Sequence, residues 1–189
     1  MIELRLLGGV LLRDADGRDR RGLVTQPRRL ALLAYLASRI RSTHRRDRLL
    51  SLFWPDLDTA HGRAALRQAL HVLRVELGRD ALVTRGNEEI ALNFDAVRCD
   101  VVDFDRAVEE GRLTDALELY RGELLDAFFV SGAPEFERWQ EGERTRLREL
   151  AAQTAIALVE EAESARELVI RLQRARAIAE SIEKRDQTP

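Results

Sequence analysis

The chain has 189 residues, of which 34% are charged and 45% are hydrophobic, and it contains one cysteine, Cys99. A chain of this length can bury a core without disulfides or metals, and a single cysteine excludes an internal disulfide scaffold, which favours a reducing compartment. The apolar runs are too short to cross a membrane, and the N-terminus lacks the pattern of a signal peptide. We therefore expect a cytoplasmic protein with no membrane partner.

Charge is distributed unevenly along the sequence. Residues 1–95 hold 17 arginines against 12 acidic residues, whereas residues 96–189 hold 14 basic against 21 acidic residues. This asymmetry suggests a polyanion-binding domain at residues 1–95 joined to an interaction domain at residues 96–189. A chance imbalance of solvated surface charge is the alternative.

The first predicted elements are strands followed by a helix. Two short apolar runs in residues 2–12 and an Asp/Gly turn at residues 14–17 predict a β-meander. Pro27 is favourable in the first turn of a helix, and apolar residues at helical spacing extend this helix to residue 39.

A second helix is predicted between Thr43 and Pro55. Thr43 is suited to be its N-cap, and Asp47 is an acid in the first turn. Arg45 and Arg46 begin this helix, where backbone N–H groups and guanidinium groups can face a phosphate. We therefore predict that Thr43, Arg45 and Arg46 contact a nucleic-acid backbone.

The longest helix of the first half is predicted to follow a cap at Asp58 or Thr59 and to end at Gly78. Its leucines recur every three or four positions, which predicts one buried face. The opposite face is basic and suits a DNA major groove, where arginine reads guanine and glutamine reads adenine. The residues predicted for this contact are Arg63, Arg67, Gln68 and His71, and Arg74 lies on the same side. A solvated helix without a ligand is the alternative.

Two strands at residues 81–84 and 90–93 flank a Gly- and Asn-containing turn, which predicts a hairpin. From residue 100 onward the pattern is helical and resembles tetratricopeptide hairpins. The helices are predicted at residues 101–110, 114–120, 123–129, 135–163 and 165–184. On the long helix, Phe136, Trp139, Leu147 and Leu150 share one side, which predicts a buried seam. Apolar surface beyond this seam leads us to expect a homo-oligomer.

No pattern in the sequence indicates an enzyme. The three histidines are spread along the chain and the cysteine has no second cysteine near it, so the ligand spacing of a metal site is missing. The single lysine follows a glutamate, which excludes a P-loop, and no G-x-S-x-G motif is present. We therefore expect no catalytic residues, no metal and no cofactor.

The order of strands, three helices and a hairpin predicts an α+β winged helix-turn-helix domain, followed by an all-α helical domain. The same residues resemble the DNA-binding domain of the SARP-type regulators, which are bacterial activators with an OmpR/PhoB-type winged helix. The matching segments are LRLLGG at 4–9, RRLALLAYLA at 28–37, FWPD at 53–56 and AALRQAL at 64–70. Further segments, at 99–104, 116–125 and 135–147, resemble the start of that family's bacterial transcriptional activator domain (BTAD).

The resemblance implies binding of double-stranded DNA at tandem direct repeats near a promoter, with recruitment of RNA polymerase. It places the recognition-helix contacts at Arg63, Arg67, Gln68, His71 and Arg74. It places the wing contacts at Arg85 and Asn87, although Glu88 and Glu89 beside them repel phosphate. A helical adaptor whose winged domain binds protein and not DNA is the alternative function.

Overall fold

The computed structural model describes residues 1–39, 42–86 and 88–186. Strands β1 (Ile2–Arg5) and β2 (Leu11–Arg13) form an antiparallel hairpin. The chain then makes one isolated bridge between Arg13 and Asp19 and enters the short helix α1 (Arg21–Val24). The meander predicted in residues 2–12 is therefore limited to one hairpin, because the chain pairs at a single position after the turn.

Helix α2 (Pro27–Ala37) begins at the predicted proline and ends two residues before the predicted end. The predicted long helix is also confirmed, as α4 (Thr59–Leu77). The carboxylate of Asp58 caps it by accepting hydrogen bonds from the backbone N–H groups of Ala60 and His61, at 2.9 and 3.0 Å. Gly78, with φ of 92°, follows its last residue and lets the chain turn away.

The predicted N-cap at Thr43 is wrong. His44–Arg45 form strand β3, and helix α3 (Arg46–Phe53) begins only after it, with no side-chain hydrogen bond at its cap. The backbone N–H of Arg46 donates to the carbonyl of Glu88 at 2.9 Å. Pairing with a distant strand therefore holds this segment extended and moves the start of the helix past Thr43.

The predicted hairpin is confirmed, with strands β4 (Leu82–Arg85) and β5 (Glu89–Leu92) paired antiparallel. β3 adds to its other side, so the order of this sheet is β3-β5-β4. The hairpin thus stands as a wing beside α3 and α4.

The second half contains β6 (Val97–Cys99), α5 (Asp100–Glu109), α6 (Leu113–Leu119) and α7 (Pro134–Asp186). β6 pairs in parallel with β1, so the N-terminal sheet has the order β2-β1-β6. Residues 97–99 thus belong to a sheet of the first half, and the domain division at residue 95 stays a prediction.

Two predicted features of the second half are wrong. Residues 123–129 are not helical, because Leu124 forms a bridge with Leu7 and the N–H of Leu125 donates to the carbonyl of Leu6 at 2.8 Å. Leu125 and Ala127 also have positive φ angles, which a helix does not permit. The predicted break near residue 164 is absent, and α7 continues through this position, because no glycine or proline occurs between residues 143 and 186.

One continuous hydrophobic core joins the two halves. Phe53 of α3 lies 5.3 Å from Phe136 of α7, and Tyr35 of α2 lies 4.9 Å from Trp139, measured between ring centroids. The predicted seam of α7 is confirmed, since Phe136 and Leu147 are buried and Trp139 and Leu150 are half-buried. The winged part of the molecule is therefore packed directly on α7.

Candidate nucleic-acid interface

The solvent face of α4 carries most of the predicted contact residues. Arg63, Arg67, Gln68 and His71 are exposed, and Arg74 is half-buried. The opposite face of the helix is anchored in the core. Its buried residues are Gly62, Leu66, Ala69, Leu70, Leu73 and Leu77. The local sequence therefore determines both the position of the helix and the side chains that it presents.

Three basic side chains on this face have no partner within the described part of the chain. Among the residues that the structure describes, Arg63, Arg67 and Arg74 form no ion pair and no side-chain hydrogen bond. An unpaired guanidinium group offers five N–H donors in a planar fork, which suits a phosphate or the edge of guanine. The face can therefore bind an anionic ligand without first breaking internal contacts.

A cleft of about 440 Å³ lies where α4, the start of α3 and the wing meet. Arg46, Arg63 and Arg67 line it, together with two carboxylates, Asp47 and Glu88. The Nε atom of Arg46 is buried and has no hydrogen-bond partner among the described residues. Three guanidinium groups against two carboxylates leave the cleft basic, although less so than its arginines alone suggest.

The three predicted backbone contacts fall into different environments. Arg45 is exposed at the end of β3, Arg46 lines the cleft at the start of α3, and Thr43 is half-buried before β3 and caps no helix. The cap role of Thr43 is therefore wrong, while its contact with a phosphate stays a prediction, as do the contacts of Arg45 and Arg46.

Charges alternate in sign across the three strands of the sheet that the wing forms with β3. In the strand register, Glu89 lies opposite Arg45 on one side and opposite Arg85 on the other. Arg85 is exposed, and the predicted contact Asn87 lies outside the described residues. The local sequence could not reveal this alternation, because it depends on the pairing of β3 with β5.

The N-terminus of α4 is occupied by its own cap. The Oδ2 atom of Asp58 lies 2.6 Å from Nδ1 of His61, in addition to the two backbone contacts of this carboxylate. Hydrogen bonds from the backbone and the side chain of His61 lower the pKa of Asp58. The first N–H groups of the helix are therefore already bound by a carboxylate, and an approaching phosphate would meet the arginines one turn further on.

A second group of arginines, which the sequence analysis did not identify, joins segments that are distant in the sequence, and two of its members, Arg28 and Arg48, connect the winged part to the second half. Arg48 pairs with Glu135 at 2.9 Å, and Arg28 donates to the carbonyl of Ser131 at 2.9 Å. Arg146 binds both carboxylate oxygens of Asp105, at 2.9 and 3.0 Å. The partners of these arginines lie 41 to 103 residues away in the sequence, so no local pattern signals them.

Other kinds of site find no support in the described part of the chain. It contains no group of three or more His, Cys, Asp or Glu side chains that could hold a metal ion. None of its helices combines the length and the apolar character needed to span a membrane.

No protein-family model and no curated protein matches the sequence. Among solved structures, the chain is similar to Mycobacterium tuberculosis EmbR in complex with a low-affinity phosphopeptide, with a TM-score of 0.57 and 21% sequence identity. The similarity covers 89% of this chain and 49% of that chain, so the chain spans about half the length of the structure it matches. At this identity the similarity establishes a shared fold, and it extends over both halves of the chain.

Proposed function

We propose that this chain is a sequence-specific regulator of transcription that binds double-stranded DNA through α4. The single observation that carries the proposal is a pair of exposed arginines, Arg63 and Arg67, which have no partner among the residues that the structure describes and lie on a helix whose other face is anchored in the core. A rigid helix with free guanidinium groups on its solvent side is the device by which helix-turn-helix proteins read the major groove.

The proposal assigns different roles to different parts of the surface. Residues near the N-terminal end of a recognition helix reach base edges, so Arg63, Arg67 and Gln68 are the proposed base contacts, with His71 and Arg74 further along the groove. Arg45 and Arg46 are the proposed phosphate contacts, since Arg46 lines the cleft at the start of α3 and the exposed Arg45 directly precedes it at the end of β3. Arg85 and Asn87 are the proposed contacts from the wing.

The resemblance to the SARP-type regulators supports the finer parts of the proposal. We propose residues 1–95 as the DNA-binding domain and residues 96–189 as part of an activator domain that self-associates and contacts RNA polymerase. We further propose a cytoplasmic protein that binds DNA without catalysing a reaction and without a cofactor.

The test is selection of duplexes from a random library by the full chain, followed by titration of the selected duplex at several salt concentrations. We expect enrichment of one sequence motif, together with an affinity that falls steeply as salt rises, because phosphate contacts release counterions. A scrambled duplex of the same length is the control and should bind more weakly at every salt concentration. If no motif is enriched and binding does not depend on salt, the adaptor function replaces this proposal.

A further inference from the structure

The outer part of α7 projects beyond the body of the protein. Up to Thr154 this helix packs on the rest of the molecule, but every residue from 159 to 174 is exposed. These 16 residues extend about 24 Å at the helical rise of 1.5 Å per residue. A helix of this length without packing is only marginally stable in water, so a surface that covers it would stabilise it considerably.

The apolar stripe that faces the body of the protein continues into this projecting segment along the same side of the helix. From Ala151 and Thr154, steps of three or four residues lead along the same side of the helix. The positions reached are Leu158, Ala162, Ala165, Val169 and Leu172. Val169 and Leu172 are 52% and 61% exposed, and the neighbouring Leu168 is 58% exposed. A contiguous exposed stripe of this kind is typical of a protein interaction surface.

Charge along the segment changes sign at its middle. Residues 160–170 contain four glutamates and one arginine, whereas residues 171–177 contain three arginines and no acid. Two such helices in parallel would bring like charges together. Two such helices in antiparallel orientation would bring the acidic part of each beside the basic part of the other, which favours that arrangement.

We propose that the segment 159–176 pairs with the same segment of a second copy of this chain, as an antiparallel helix pair centred between Leu168 and Val169. In this register Ala165 of one copy faces Leu172 of the other, so a small residue meets a large one on both sides of the axis. The same surface patch is used by both copies, as in a twofold-symmetric dimer. This deepens the self-association named above by giving its surface, its partner and its orientation.

The symmetry has a consequence for DNA binding, and this consequence rests on the proposed function. A twofold axis relates the two winged parts, so both can engage one duplex only at half-sites in inverted orientation. The resemblance to the SARP-type regulators implies direct repeats instead. The arrangement of half-sites in the selected duplexes, inverted or direct, therefore distinguishes this dimer from the arrangement that the resemblance implies.

Cysteine cross-linking of the full chain tests the orientation directly. The native Cys99 is buried, and burial raises the pKa of its thiol, so it does not compete in the reaction. We expect a disulfide-linked dimer when chains carrying Ala165→Cys are mixed with chains carrying Leu172→Cys, and none from either variant alone. A dimer from Ala165→Cys alone would mean parallel pairing, and no dimer from the mixture would mean another occupant. Either result overturns the proposal.

Sedimentation of the full chain at micromolar concentration tests the surface. We expect a dimer for the unmodified chain and a monomer for Leu168→Glu, which places a charge at the centre of the pair. Ile156→Glu is the matched control, because Ile156 is 61% exposed but lies on the opposite side of the helix, and it should remain dimeric. A monomeric unmodified chain, or equal effects of both variants, overturns the pairing. If the unmodified chain dimerises but does not bind DNA, the proposed function is overturned and the proposed pairing stands.

Discussion

Arginine does two different things in this molecule. On α4, Arg63 and Arg67 are exposed and form no ion pair or side-chain hydrogen bond among the described residues. At the contact between the winged part and the second half, arginines have fixed partners, such as Glu135 for Arg48 and the carbonyl of Ser131 for Arg28. The paired arginines form an internal structural contact, whereas the unpaired ones are available to a ligand. Whether an arginine has a partner among the described residues therefore separates the candidate DNA contacts from the structural arginines.

The junction with α7 should be sensitive to the loss of one aromatic ring. Phe136 is fully buried and packs against Phe53, so Phe136→Ala removes core contacts and leaves a cavity. We expect a loss of about 3–5 kcal/mol in the free energy of unfolding, measured by denaturant titration. Phe129→Ala is the control, because Phe129 is 66% exposed, and it should change stability little. Equal effects of the two substitutions would show that α7 does not pack on α3 as described.

A buried carboxylate fixes the start of α5 to the N-terminal sheet region. Asp100 accepts the backbone N–H groups of Leu6 and Leu7 on its two oxygens, at 2.8 and 3.0 Å. Asn has one acceptor oxygen, so Asp100→Asn leaves one of these N–H groups facing an amide NH₂. We expect a loss of about 1–3 kcal/mol in the free energy of unfolding at pH 7. The exposed Asp126→Asn is the control and should have little effect.

The same residue predicts a pH dependence. Burial raises the pKa of Asp100 to about 6 in the folded protein, against 3.8 for an aspartate carboxyl group in water. The stability that follows from its protonation is therefore fully present below pH 3.8 and is lost as the pH rises through about 6. The free energy of unfolding of the unmodified chain should therefore fall between pH 3.8 and about 6, and Asp100→Asn, which does not titrate, should lack this change. A free energy of unfolding that rises with pH over this range in the unmodified chain alone would contradict the burial of this carboxyl group.

The exposed pair between Arg48 and Glu135 should contribute little. Its two side chains are 56% and 38% exposed, so solvent screens the attraction, and Arg48→Ala should cost about 0.2–1 kcal/mol in unfolding free energy. Arg63→Ala removes an arginine that has no partner in the described part of the chain, so it should leave stability unchanged. In DNA titrations we expect the reverse, with discrimination between duplexes reduced by Arg63→Ala and unaffected by Arg48→Ala. If the two variants changed the free energy of unfolding equally and also changed the discrimination between duplexes equally, paired and unpaired arginines would not differ in role.

The sequence predicted α4 well because its determinants are local. Asp58 caps it, Gly78 ends it, and the leucine spacing defines its buried face. The same holds for the turn of the wing. The predictions that were wrong concern segments that pair with distant parts of the chain. β3 forms at residues 44–45 because residues 89–90 pair with it. Residues 123–125 are not helical because they form hydrogen bonds with residues 6–8.

The candidate site shows the same division. Local periodicity identified the exposed face of α4, since a helix with one leucine face must present its other residues to solvent. It could not identify the cleft, because Arg46, Arg67 and Glu88 come together only through the packing of three elements. It also could not separate paired from unpaired arginines, since the acidic partners lie far away in the sequence.

The most direct test of the proposed function compares Arg67→Ala and Arg45→Ala in titrations of specific and scrambled duplexes at several salt concentrations. Arg67 lies on the exposed face of α4, so its loss should remove about 1–3 kcal/mol of discrimination between the two duplexes if its contact is bidentate. Arg45 lies at the end of β3, so its loss should weaken both duplexes alike and lower the log–log salt slope by about one. Equal weakening of both duplexes by Arg67→Ala would make Arg67 a phosphate contact, and no effect of either variant would contradict DNA binding through α4.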